Sequence, residues 1–491
     1  MLRSATLAAL LCCLFGVEAT EESPRIIIIG SGPSGLAAGT RLLENGFNNL
    51  TILEAEDRIG GRLYGKEFCG LMVDIGGQWV TGAVNNAAYD LVSPLGLVEK
   101  PGDDSSIGVY SSSGSALPEE AAAEFLQFYF NLSDIEVPDE YKNGSIGSWY
   151  THELEGFFEA HPEIDVEKRG PLLKMLCTAD MADHAGDDWF SVSAIDHWET
   201  NKDYELWNWK DKTYSSFIDI LLKKYPNPDE ELPFRNKTVL NAEVTKINYN
   251  DPDGAVRVVT KNGDEYVADH VIVTPSLGVL KADHEKLFNP PLPETKVNAI
   301  KGLEFGNIAK IYMFYPEPWW PQIDELQMFN FYWTDEDRNK FASDPKKSWL
   351  LGLPIVVNVE HKPGLLCGWL SGPHAREMEN VPEEDIFSGM KEMLHQFLGK
   401  TFNLTEPSAI LRTQWYSNKH FRGTYSYRSP KTYESGATAA QLEEPIMEHG
   451  KPRVLFAGEA TSLSQYGTVN GAVSTGWREA DRLIQTYQHK N

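Results

Sequence analysis

The first strongly apolar run after residue 20 is Ile26-Ile27-Ile28-Ile29, four β-branched residues with no polar position between them. Such a run suits a strand buried on both faces of a parallel sheet. Leu36 to Leu43 then reads as an amphipathic helix and Leu50 to Leu53 as a second strand. Apolar or alternating stretches predict further strands at Val239 to Ile247, His270 to Thr274, Leu303 to Tyr315, Phe329 to Trp333 and Val454 to Ala457. Ala255 to Thr260 and Glu265 to Ala268 flank Asn262-Gly263, which predicts a hairpin with a type I′ turn. Ser215 to Tyr225, Asp385 to Leu398 and Gly471 to Tyr487 read as helices with one apolar side. From Pro101 to about Pro138 the chain turns to Ser, Gly, Glu and Ala without a strong strand signal, and short helices with aromatic residues are expected through Trp207.

The joint between the first strand and the first helix carries candidate chemistry. Gly30-Ser31-Gly32-Pro33-Ser34-Gly35 is GxGxxG in its meaningful context. Gly30 permits the tight turn, Gly32 lets backbone approach a pyrophosphate, and Gly35 lets helix pack close on strand. The helix N-terminus offers free N–H groups to that phosphate. Glu54 closes the second strand about twenty positions on, where an acid accepts hydrogen bonds from an adenosine ribose. A dinucleotide binds here.

Arg58, Gly60, Gly61 and Arg62 follow the acid, and Asp74-Ile75-Gly76-Gly77-Gln78-Trp79 comes shortly after. In these residues the chain resembles the flavin-dependent amine oxidase family, whose signature is an acid followed by Arg-x-Gly-Gly-Arg. An NAD-binding Rossmann domain is the other reading of the glycines, and the Gly-Gly-Arg segment favours FAD. The resemblance implies that Gly30, Gly32, Ser34, Gly35, Glu54 and Arg62 hold the nucleotide, and that Gln78 and Trp79 pass along the isoalloxazine. It further implies flavin-side roles for Trp415 and Phe421, backbone contact of Val244 with adenine, a ribityl contact for Glu459, and approach of Thr468 and Val469 from the start of the last helix. Lys310, inside the strand Leu303 to Tyr315, would snorkel to solvent in an ordinary strand; the family places a lysine here under the flavin, holding a water near N5, which makes it the candidate catalytic residue. Tyr425 is the implied wall of an aromatic cage that attracts a cationic amine. Thr81 stands where polyamine oxidases often carry His or Glu, so it enters as a substrate-site residue, and Asn470 stands where the family commonly has His.

Phe421 to Tyr427 (FRGTYSY) and Gly471 to Arg482 look most like animal spermine and acetylpolyamine oxidases. That resemblance implies oxidation of polyamines with O₂ to an imine or aldehyde, an amine and H₂O₂. Ser462 to Tyr466 contains no cysteine, so FAD is expected to be non-covalent, unlike that of monoamine oxidases. An L-amino-acid oxidase would need an arginine for a carboxylate, for which Arg422 could serve. A catalytically weak secreted binding protein on the same fold is the alternative from another class. The fold expected is α/β: a Rossmann-like FAD-binding domain from 24–90, 236–302 and 448–491, and a discontinuous α+β substrate domain from 91–235 and 303–447 built on a mixed sheet.

Composition changes this picture in few places. The chain has 491 residues, enough for a large core, and 42% hydrophobic against 23% charged residues argues against wholesale disorder. Its 44 Lys+Arg against 71 Asp+Glu give −27, a surface that repels nucleic acid and attracts small cations, though solubility alone also explains it. Arg3, the apolar segment Ala5 to Val17 and the small residues ending at Ala19 read as a cleaved secretory signal over 1–19, too short to span a bilayer. No other stretch approaches the length of a membrane helix. Sequons begin at Asn49, Asn131, Asn143, Asn236 and Asn403, with Asn49 the poorest glycan site because it directly precedes a buried strand. Cys69, Cys177 and Cys367 are too few and scattered for a disulfide framework or a metal site, though one bridge is possible.

Overall fold

The computed structural model describes residues 23–82, 84–100, 106–132, 135–195, 206–322 and 326–488; the secretory segment read at 1–19 lies outside them. One six-stranded sheet has the order Ile446–Glu448, Lys451–Phe456, His270–Val273, Ile26–Ile29, Leu50–Leu53, Thr238–Val239. All of its neighbours are parallel except the first pair. Ile26 and Ile28 enter the core on one face, and Ile27 and Ile29 the core on the other, so both faces need apolar residues. The helices Pro33–Glu44 and Val469–Gln488 cover one face. They approach so closely that a Cβ on Gly476 would lie 2.2 Å from Ser34 O. Because the strands run parallel, Gly30, Glu54, Thr274 and Gly458 all emerge at the same edge, where open α/β sheets bind ligands.

A second six-stranded sheet is mixed: Ala409–Arg412, Ile308–Phe314, Leu365–Ser371, Ile355–Asn358, Gln327–Tyr332, Ser106–Ser111. Its strands pair antiparallel apart from the last two. Glu383–Leu398 packs against one side through Ile386, Met390, Met393 and Phe397. A separate aromatic core forms among the helices Glu119–Leu132, Ile146–Ala160 and Val166–His184.

Several expected elements differ. Val239 to Ile247 is not one strand: Thr238–Val239 ends the parallel sheet, Asn241 turns in the left-handed region (φ 57°), and Val244–Asn248 joins a different, four-stranded sheet. The hairpin turn is not type I′. Of Asn262 and Gly263 only Gly263 has positive φ, at 90°, and Gly263 N donates to Thr260 O while Thr260 N donates to Asp264 O. That is a type I turn followed by a left-handed glycine bulge. The helix after Ser215 stops at Leu221, because Lys223 is left-handed (φ 60°) and Pro226 follows. The helices before Trp207 are long rather than short, at 14, 15 and 19 residues. Ser106–Ser111 is a strand after all; as a sheet edge half exposed to solvent it needs little apolar sequence.

Cys69, Cys177 and Cys367 are all free thiols, so the possible bridge does not form. Asn49 is exposed like Asn131, Asn143, Asn236 and Asn403, because the buried strand begins only at Leu50. No helix among the described residues is long and apolar enough to cross a membrane.

Candidate active site

At the carboxyl edge of the parallel sheet the glycine turn is packed as its sequence demands. A Cβ on Gly35 would lie 2.0 Å from Gly30 O, whereas one on Gly32 would meet nothing nearer than Gly61 Cα at 3.8 Å. Space is therefore left above Gly32 and closed beneath Gly35. The helix Pro33–Glu44 has no side-chain cap, and Ser34 Oγ is buried without a hydrogen-bond partner. Glu54 is buried; its Oε2 accepts from Ser31 N (2.8 Å) and Ser31 Oγ (2.6 Å), and its Oε1 from Glu56 N (2.8 Å). A carboxylate has about four acceptor positions, so Glu54 is oriented by its own loop and still able to accept.

Arg62 links this turn to two segments late in the chain. Its Nη1 donates to Thr424 O and to Glu459 Oε1, the latter at 3.0 Å. Glu459, 4% exposed, also accepts from Ser426 Oγ (2.7 Å) and Gly467 N (2.9 Å). Burial raises its pKa, but Arg62, Ser426 and Gly467 outweigh burial and hold it below the usual carboxylate range. Glu459 thus ties three loops together. Thr468 accepts from Gly471 N with its hydroxyl (2.9 Å) and donates to Gln465 O (2.7 Å), bracing the start of the last helix.

Lys310 does not snorkel. It is 5% exposed, and Nζ donates to Asp74 O (2.9 Å), Gly76 O (2.8 Å) and Gln78 Oε1 (2.9 Å). The Trp369 ring lies 4.8 Å away and stacks on Trp79 at 5.3 Å. Burial pushes the ammonium below its ordinary pKa, against the pull of Cys367 and Asp74. All three N–H donors are spent on protein oxygens, so the partner is first of all the Asp74–Gln78 segment. Beneath it the Asp74 carboxyl, 6% exposed, is pushed up to about 7 by burial, with Lys310 and the Tyr214 N–H acting the other way. Gly76 packs so tightly that a Cβ would lie 1.7 Å from Arg62 O. Trp415 Nε1 donates to Ile75 O (3.0 Å), and its ring meets Phe421 edge-on at 4.9 Å. Val469 borders Gly77. Lys310, Trp415 and Val469, with Phe421 on Trp415, therefore gather around the segment that carries Gln78 and Trp79.

Tyr425 stands beside Gly467 and donates its hydroxyl to Ala182 O (2.9 Å) and Asp183 O (3.2 Å). Burial, Asp183 and Glu459 together push its pKa well up. Val244 lies at the head of its strand, opposite Thr260. Thr81 pairs with Leu206 and accepts from Asn86 Nδ2 through its carbonyl. Asn470 is buried and fully engaged: Oδ1 accepts from Ala87 N (2.9 Å) and Nδ2 donates to Asn85 O (3.3 Å) and Gln465 Oε1 (3.2 Å). It clamps a loop to the helix. Arg422 is committed to Asp283 at 3.2 Å.

The profile of the family described as "flavin containing amine oxidoreductase" matches residues 33–128 and 234–484. The chain belongs to this family. It is 29% identical over 501 residues to the peroxisomal N(1)-acetyl-spermine/spermidine oxidase of Bos taurus, covering 95% of this chain and 96% of that one. The Homo sapiens protein of the same name is 28% identical, covering 94% and 95%. A solved putrescine oxidase bound to putrescine superposes with a TM-score of 0.66 at 19% identity, over 94% of this chain and 99% of that one, a likeness of fold.

A flavin amine oxidoreductase with a dinucleotide fingerprint takes FAD, and the residues fit it. The orphaned Ser34 hydroxyl and the open space over Gly32 suit a pyrophosphate, and the braced Glu54 suits a ribose. Among the described residues no group of His, Cys, Asp and Glu could hold a metal ion.

Four residues at this site escaped the sequence reading. Asp74 was visible only as part of the family motif, and Tyr312, which donates to Asp74 O (2.7 Å), looked like any strand tyrosine. Trp369 sits in an apolar run where nothing marks an indole as special. Asp183 lies on a helix with no amphipathic signal.

Proposed function

We propose that this flavin amine oxidoreductase is a secreted oxidase of polyamines that holds FAD non-covalently. Bound FAD would accept the two electrons and hydrogen from the carbon beside the amine nitrogen, and pass them to O₂ as H₂O₂. The chain's share is orientation and electrostatics. Arg62 and Glu459, locked to each other, would set the middle of the cofactor, and Lys310 fixes Gly76 to Gln78 beside it. Holding a water as well, the role implied for Lys310, requires one of its N–H groups to leave its present acceptor.

The observation that carries the substrate reading is Asp183 beside Tyr425. Asp183 is exposed to solvent, and its side chain makes no hydrogen bond or salt bridge among the described residues. At neutral pH it is charged. A polyamine would set the reacting amine against the aromatic face of Tyr425 and a second ammonium toward this carboxylate. A monoamine has no second charge to place, and an amino acid would meet Asp183 with the wrong one. Arg422, turned to Asp283, is poorly placed to help an amino acid. The names of the two mammalian relatives point to the same substrates.

Secretion is supported by the 1–19 segment and by exposure of all five sequons, whereas the named relatives are peroxisomal. Peroxide release by the purified holoprotein with spermine, N¹-acetylspermine, putrescine, leucine and benzylamine tests the substrate. Turnover of the first two is expected; turnover of leucine or benzylamine alone would contradict the reading. Secreted material should start near Thr20 and lose mass on glycosidase treatment.

A further inference from the structure

Outside the residues already assigned, one polar cluster joins the two ends of the cofactor site. The loop Trp415 to Gly423 carries Trp415 and Phe421 and is closed by Gly423 N donating to Trp415 O (3.1 Å). Between them, His420 faces two carboxylates. Its Nδ1 lies 2.5 Å from Glu56 Oε1, which also accepts from Asn418 Nδ2 (3.3 Å). Its Nε2 lies 3.5 Å from Glu243 Oε2. Lys419 binds the same Glu243 oxygen, and Lys261 stands 3.5 Å from it.

Both carboxylates belong to the nucleotide end. Glu56 N is the donor that orients Glu54 (2.8 Å), and Glu56 O accepts from Asn241 N (3.0 Å). Glu243 immediately precedes Val244. The side chains of His420, Glu56 and Glu243 are 20 to 29% exposed, so water screens the bridge only in part. The Lys419 hydrogen bond and the neighbouring His420 keep Glu243 below the usual carboxylate range although burial raises it. Glu54 itself is untouched by His420, so His420 acts on the cofactor through Glu56, and on Phe421 as its chain neighbour.

We propose that the Glu56–His420–Glu243 bridge is a positioning element that couples retention of FAD to the placement of the Trp415–Gly423 loop. FAD that settles on Glu54 firms Glu56, and Glu56 holds His420 and the loop behind it; loosening the loop loosens the nucleotide by the same free energy. The coupling concerns the cofactor and does not depend on which amine is oxidised.

The test is an FAD titration of apoprotein by fluorescence for wild type, His420→Gln, Glu56→Gln and the double variant, with hydrogen exchange of the 415–423 peptides with and without FAD. Each single change is expected to raise the Kd by about three- to tenfold, as for loss of one partly exposed side-chain hydrogen bond. The double variant should be no weaker than the weaker single, because both single changes remove the same Glu56–His420 contact. Protection that FAD confers on 415–423 should shrink in all three. His420→Lys, which places a fixed cation between the carboxylates, should recover part of the affinity and serves if a Gln variant folds poorly. Kd values within twofold of wild type, effects that multiply in the double variant, or unchanged protection of the loop would overturn the coupling.

Discussion

Replacing Lys310 by Met keeps the length and apolar character of the stem and deletes three hydrogen bonds of 2.8 to 2.9 Å. Asp74 O retains the Tyr312 hydroxyl at 2.7 Å, so the acceptors that lose their donor are Gly76 O and Gln78 Oε1. Each hydrogen bond from the charged amine to these partly buried acceptors is worth about 1.5–3 kcal/mol, giving roughly 3–6 kcal/mol together. Part of that is returned, because the variant no longer buries an ammonium whose pKa burial already lowers. Gln78 can also turn toward another donor. The net expectation is a loss of about 2–4 kcal/mol. Urea unfolding of the holoprotein should show a lower midpoint with an unchanged slope. Gln78→Met added to Lys310→Met should cost much less than Gln78→Met alone. Amine-driven bleaching of the flavin should slow by about an order of magnitude or more, through the loosened Gly76–Gln78 segment. Stability within about 0.5 kcal/mol of wild type would refute the assignment of Lys310 as the tie that holds this segment.

Asp74 has a folded-state pKa of about 7 against 3.8 for the free side chain, so the native state holds its proton more tightly. Its stabilising contribution is complete below pH 3.8 and is lost as pH rises to about 7, on the order of 4 kcal/mol in all. Asp74→Asn keeps an oxygen for Tyr214 N and should flatten unfolding free energy between pH 4 and 7; a slope as steep as wild type would assign it to other groups. Glu459→Gln turns an amide toward donors from Ser426 and Gly467 and leaves Arg62 without its counter-charge, so it should cost about 3–5 kcal/mol, the range for a broken buried pair, and release FAD on gel filtration. Full retention of FAD would place the cofactor elsewhere. Asn470→Ala should lower the melting temperature while leaving the KM for spermine within about twofold, since Asn470 clamps Asn85–Ala87 to the last helix; a large KM change at constant stability would return it to the substrate site.

How much of this was legible follows from the range of each interaction. The isoleucine strand, the glycine turn and Glu54 are local patterns whose geometry is written in consecutive residues, and the parallel sheet forms on them. The split near Asn241 was hidden because an asparagine in the left-handed region looks like any polar residue within an apolar stretch. Ser106–Ser111 was hidden because one partner strand and one buried end suffice for an edge. At the site, the family motif brought out the residues around the nucleotide. It could not disclose that Lys310 is held by backbone carbonyls of a distant segment, that Trp369 stacks on Trp79, or that Asp183 lies by Tyr425. Those are products of tertiary packing between elements far apart in the chain.

The central claim is that an amine held at Tyr425 and Asp183 delivers its electrons to FAD beside Lys310. Anaerobic mixing of the yellow holoprotein with spermine tests it most directly. The flavin absorbance should bleach to the reduced spectrum with one equivalent of amine per FAD, return on admission of O₂ with release of H₂O₂, and bleach at least tenfold more slowly in Asp183→Asn. Flavin that stays oxidised with every polyamine, or that bleaches equally fast in Asp183→Asn, would contradict the account.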